Sequence, residues 1–188
     1  VVREMLPAEE VLNSVLNDLR EAEQMLADYD PVITEGPLFS AAEDGLSNAM
    51  RYRPLRMNYY AVQAYIARVA LYGDNTSLAG DYALKVIKGA QEDNKWFPFI
   101  ERAAAEESDH QDRIYQPEIL FGVYNLNRKV IFEGTFSNNL SSTRVLRPTE
   151  EYIDWMYENN INDIRYAWHW EMLASADKEE GNLLFCQV

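Results

Sequence analysis

A chain of 188 residues, 47% of them hydrophobic, is long enough to bury a core of ordinary domain size, which excludes an intrinsically disordered protein. Its 31 Asp and Glu against 17 Lys and Arg give a formal charge of −14; that surface repels phosphate backbones, argues against nucleic acid as a partner, and leaves neutral ligands such as sugars open. The lone cysteine, Cys186, excludes an internal disulfide and a cysteine-rich zinc site, and no run of about 20 apolar residues is present to span a bilayer.

The first residues, Val1-Val2-Arg3-Glu4-Met5, hold neither a long apolar stretch nor a lipobox cysteine, so any export signal or anchor is expected outside this sequence. From Ala8 to about Tyr29, apolar residues recur at Val11, Leu12, Val15, Leu16, Leu19, Ala22, Met25 and Leu26, the spacing of one stripe on a surface helix. Residues 31 to 54 carry Pro31, Gly36, Pro37, Gly45 and Pro54, a density of breakers that predicts an ordered loop or short turns.

The stretch from about Leu55 to Tyr72 leaves almost no polar face, which predicts a helix buried on most sides. Gly73 supplies its C-cap, and Asp74, Asn75 or Thr76 caps a following helix that runs to Lys88, stops at Gly89, and turns Leu78, Tyr82, Ala83, Val86 and Ile87 inward. Small Ala64, Ala67 and Ala83 allow the two helices to approach closely, as in a tetratricopeptide unit. Such a hairpin needs a neighbour to bury its second face, and the helix from Ala8 to Tyr29 is the local candidate.

Beyond Gly89 the pattern weakens. The acidic stretch Glu106 to Asp112 reads as a solvated loop or short helix, Ile119 to Tyr124 as a short buried strand, and residues 126 to 147 as irregular. Thr149 caps a helix carrying Tyr152, Ile153, Trp155, Met156 and Tyr157, and the segment from Asn159 onward has no clear period. The expected fold is therefore mostly α, with tetratricopeptide-like hairpins, irregular loops and at most minor β structure. We read residues 1–188 as one domain fragment, with a helical core over about 8–90 and a loop-rich remainder.

The run from Arg56 through Tyr59-Tyr60-Ala61-Val62-Gln63-Ala64-Tyr65 to Asp74, closing with Tyr82 to Ile87, resembles the signature hairpin of the SusD/RagB family of bacterial outer-membrane lipoproteins. Pro117 to Asn125 resembles that family's Glu-Ile-Ile-Phe segment, and Asp163-Ile164-Arg165 through Trp168 its Asp-x-Arg stretch. The resemblance spans roughly residues 8 to 170. It implies surface capture of an oligosaccharide for import by a SusC-like TonB-dependent transporter, without catalysis or cofactor, and attachment to the outer membrane through a lipid anchor outside this chain. It also implies that the chain is a portion of a longer protein.

No Gly-x-Ser-x-Gly, HExxH or phosphate-loop pattern occurs, and two histidines, His110 and His169, offer few nucleophile and base combinations. The run Ser108-Asp109-His110-Gln111-Asp112 matches no metal template and reads as a solvated loop, while His169, between Trp168 and Trp170, reads as packing. Adjacent acids such as Glu106-Glu107, Glu150-Glu151 and Glu179-Glu180 cannot flank a glycosidic bond from neighbouring helical positions, so they read as solvated faces. Aromatic rings suit sugars directly, because a flat ring packs on the apolar face of a pyranose. Tyr59, Tyr60, Tyr65 and Tyr82 fall at core spacing, which leaves Tyr52, Trp96 and Trp170, expected in loops, as the ligand-binding candidates. The competing readings are a helical scaffold for a protein partner, suggested by the tetratricopeptide-like hairpin, and a glycosidase with dispersed acids.

Overall fold

In a computed structural model of the chain, residues 6–43, 46–106, 112, 114–137, 139–141, 144–172 and 184–186 are described. The fold is mostly α. Two compact units divide the chain, residues 1–98 with 117–123 and residues 99–116 with 124–188.

The first unit is built on α1 (Ala8–Ala27), α2 (Tyr59–Tyr72) and α3 (Thr76–Val86). Glu9 and Glu10 sit at the positive end of α1's dipole. Asn58 caps α2 by accepting from the Ala61 N–H, and Asn75 caps α3 by accepting from the Leu78 N–H. Between them the Gly73 N–H donates to the Val69 and Ala70 carbonyls, and Asp74 takes the left-handed turn. The predicted hairpin and its α1 neighbour are therefore present: Leu16, Leu19, Ala22 and Leu26 of α1 pack against buried Val62, Ile66 and Tyr82. One carboxylate ties the three helices, since Glu23 accepts from Gln63 Nε2 at 2.9 Å and from Tyr82 Oη at 2.8 Å.

A second cluster on another side of α2 explains why that helix has so little polar face. Tyr60 packs with Val32, Val86, Ala90 and Phe97, and Trp96 and Leu120 close over them. Burial is one-sided in the last turn, however, where Ala70 is buried while Leu71 and Tyr72 are 60% and 70% exposed.

Helix α2 begins at Tyr59, not Leu55, because Pro54 lies in a 3-10 turn and extended Asn58 spends its side chain on the cap. Gly89 does not stop the following helix; the chain runs on through it as a π-helical turn, Ile87–Asp93. The Tyr60 ring fills the space beside it, where a Cβ on Gly89 would meet Cε1 at 2.9 Å, and Asn94 Nδ2 donates to the Gly89 carbonyl at 2.8 Å. Ala83 and Ile87 are exposed, since the inner stripe of α3 is Ala79, Tyr82 and Val86. Ile119 to Tyr124 forms no strand. Only Ile119 to Gly122 are half-buried, Val123 and Tyr124 being exposed, and the backbone bonds elsewhere: Leu120 O accepts from Asn58 Nδ2 at 2.6 Å, and the Gly122 N–H donates to Pro54 O at 2.8 Å.

The second unit contains α4 (Arg102–Glu106), α5 (Arg128–Thr135), α6 (Glu150–Met156) and α7 (Ile164–His169). Helix α5 corrects the irregular reading of residues 126–147. It is short and surface-lying, with Lys129 and Glu133 paired one turn apart. Thr149 caps α6 as expected, and Ile153 is its buried residue. Past Asn159, where the sequence shows no period, α7 leads into Trp170–Met172, which pairs antiparallel with Leu184–Cys186, the minor β structure among the described residues. Residues 107–111, including His110, lie outside the described residues.

Asp163 caps α7, accepting from the Arg165 N–H at 2.9 Å while its carboxylate also pairs with the Arg165 guanidinium. The arginine's hydrogen bonds hold the Asp163 carboxyl well below its usual range, at about 2. A depressed folded-state value gives a contribution present above the unfolded value, about 4, and lost as pH falls toward 2. Titrating the Asp163 carboxyl by NMR should give that low midpoint, and Asp163→Asn should abolish the acid-side loosening of α7. A midpoint near 4 would contradict the pairing.

Candidate functional site

A cleft of about 370 Å³ lies between α2 and the segment Glu118 to Phe121, within the first unit. Ala61, Ala64, Tyr65 and Arg68 form its helical wall at i, i+3, i+4 and i+7, one continuous stripe. The two alanines leave the space, and Tyr65 and Arg68 furnish its chemistry. On the facing wall, Phe121 meets Tyr65 edge-to-face, with ring centroids 6.4 Å apart.

The facing segment is held by the irregular bonds that displaced the expected strand. Asn58, fully buried, donates to both Arg53 O and Leu120 O while capping α2, so the cap and the cleft wall share one side chain. Beneath it lies a buried ion pair. Arg53 donates to Asp30 through Nε at 2.8 Å and Nη2 at 2.9 Å, and Asp30 also accepts from the Val32 and Tyr59 N–H groups. The loop from Asp30 to Asn58 is thereby fastened to the first turn of α2.

None of the three sequence candidates lines this cleft. Tyr52 is half-buried, in a left-handed conformation that opens the 3-10 turn Arg53–Leu55, and its N–H donates to Leu38 O. Trp96 packs on the core around Tyr60, and its ring lies so close over Gly36 that a Cβ there would meet Cε3 at 2.7 Å. Gly36 also holds a positive φ of 79°, so this loop position requires glycine twice over. Trp170 belongs to the second unit, in a strand rather than the expected loop, and donates through Nε1 to Tyr157 Oη at 3.2 Å.

Sequence reasoning assigned Tyr65 to the core and passed over Arg68, Glu118 and Phe121. The available signal was small-small-aromatic-cationic spacing along one stripe of an otherwise apolar helix. On the second unit, Glu151, Asp154, Trp155 and Asn159 line a shallow surface recess, and Tyr166 Oη donates to Asp154. Asp112, from the run considered as a metal motif, accepts from the Ile114 and Gln116 N–H groups and shapes a turn. Among the described residues there is no group of three or more His, Cys, Asp or Glu placed to hold a metal, and no helix is long and apolar enough to cross a membrane.

No family model, curated protein or solved structure matches this chain.

Proposed function

We propose that the chain is a non-catalytic, SusD/RagB-like glycan-binding protein that holds an oligosaccharide at the outer-membrane surface for import by a SusC-like TonB-dependent transporter. The observation that carries the binding step is the cleft itself, where Tyr65 and Phe121 offer ring surface and Arg68 and Glu118 offer polar groups within one small volume. Aromatic rings pack on the C–H faces of a pyranose, and charged groups fix its hydroxyls, so recognition needs no bond-making chemistry. The resemblance of the Arg56 to Ile87 hairpin supports the cellular setting and the transporter partner.

Calorimetry with a panel of oligosaccharides tests the reading. A binder is expected, and Phe121→Ala should weaken it about tenfold, because an aromatic contact contributes about 0.5–1.5 kcal/mol beyond its buried area. Silence towards every linkage, with capture of a peptide instead, would favour the scaffold reading.

A further inference from the structure

We infer that the glycan this cleft takes is acidic, with Arg68 gripping a carboxylate or sulfate on one of its sugars; this rests on the glycan-binding reading above. Arg53, Arg102, Lys129 and Arg165 are each paired with a carboxylate; several other described cations make no ion pair among the described residues, and of these Arg68 is the one that lines the cleft, on the same stripe as Tyr65.

The contact that steadies Arg68 is the Tyr72 ring, with the guanidinium carbon 5.9 Å from its centroid. Tyr72 holds the planar group through its ring and a side-chain hydrogen bond, and the remaining guanidinium N–H donors match the paired oxygens of a carboxylate or sulfate. A neutral sugar can accept from the guanidinium through its hydroxyls but does not balance its charge, as a carboxylate or sulfate does. Glu118, the other ionised group of the lining and already engaged with a neighbour, disfavours a second anionic group in the same space, so the fit is to sugars carrying one acid each.

The test is calorimetry on the full chain with an oligogalacturonate, its methyl-esterified counterpart and a sulfated galactan oligosaccharide. An acidic ligand should bind at least about tenfold tighter than the methyl ester, by the strength of a charge-assisted hydrogen bond. That preference should shrink in about 0.5 M salt, vanish in Arg68→Gln, and return partly in Arg68→Lys. Tighter binding of the sulfated oligosaccharide than of the uronate assigns the sulfate as the group read, and the reverse order the carboxylate; either sustains the inference. Equal affinity for the methyl ester, or a preference that survives Arg68→Gln, overturns it while leaving glycan binding standing. Silence towards all three ligands overturns it together with the glycan reading it rests on.

Discussion

Asp30→Ala is expected to destabilise the first unit by about 3–5 kcal/mol, because it strands a buried guanidinium without its counter-charge. The residue is 3% exposed and Arg53 4%, so neither charge recovers hydration in the folded state. The carboxylate has four donors, two from Arg53 and the N–H groups of Val32 and Tyr59, and alanine loses all of them. Asn at position 30 keeps an acceptor for the backbone and should fall between wild type and alanine. Pairing Asp30→Ala with Arg53→Met removes both charges, so the double variant should be more stable than the sum of the single losses. Urea midpoints of wild type, Asp30→Ala, Asp30→Asn, Arg53→Met and the double variant check this. Additive losses would show that the pair is not coupled as the geometry requires.

Asn58→Ala should cost about 2–4 kcal/mol and should also disable the cleft. Loss of an N-cap accounts for about 1 kcal/mol of that. The rest, about 1–3 kcal/mol for the two together, comes from leaving the carbonyls of Arg53 and Leu120 without their donor, the Leu120 bond being only part-buried and open to replacement by water. Asn58→Asp separates the two roles, since it retains the acceptor for the Ala61 N–H and loses the amide donor to Leu120. Thermal unfolding of both variants should rank wild type above Asp and Asp above Ala, and both should lose ligand affinity if the 118–121 wall depends on this anchor. An Asn58→Ala protein with wild-type stability would contradict the assignment.

Local chemistry was legible in the sequence where the determinants lie within a few residues. The core of the α1 stripe, Leu16, Leu19, Ala22 and Leu26 (its expected members Val11, Val15 and Met25 are exposed), the Asn75 cap between α2 and α3, and the Thr149 cap of α6 depend on 3.6-residue periodicity and on side chains reaching two or three residues along. The cleft was not legible, because its walls are joined by Asn58 and Leu120, 62 residues apart. Likewise Asp30 and Arg53 carry no mark of one another in the sequence, and Gly89 reads as a helix stop until the Tyr60 ring is seen filling its open side. Ile119-Leu120-Phe121 has the composition of a buried strand, yet the Leu120 carbonyl is taken by the Asn58 side chain and the next N–H, that of Gly122, by the Pro54 carbonyl. Tyr65 failed in the opposite direction. Its spacing is that of core, but Ala61 and Ala64 beside it are too small to close the groove.

The most direct measurement is a backbone amide NMR titration of the full chain with an oligosaccharide identified by calorimetry. The account predicts saturable shifts confined to Ala61–Arg68 and Glu118–Gly122, lost in Phe121→Ala. Shifts centred on Tyr52, Trp96 or the α6 recess, with these two segments silent, would contradict it.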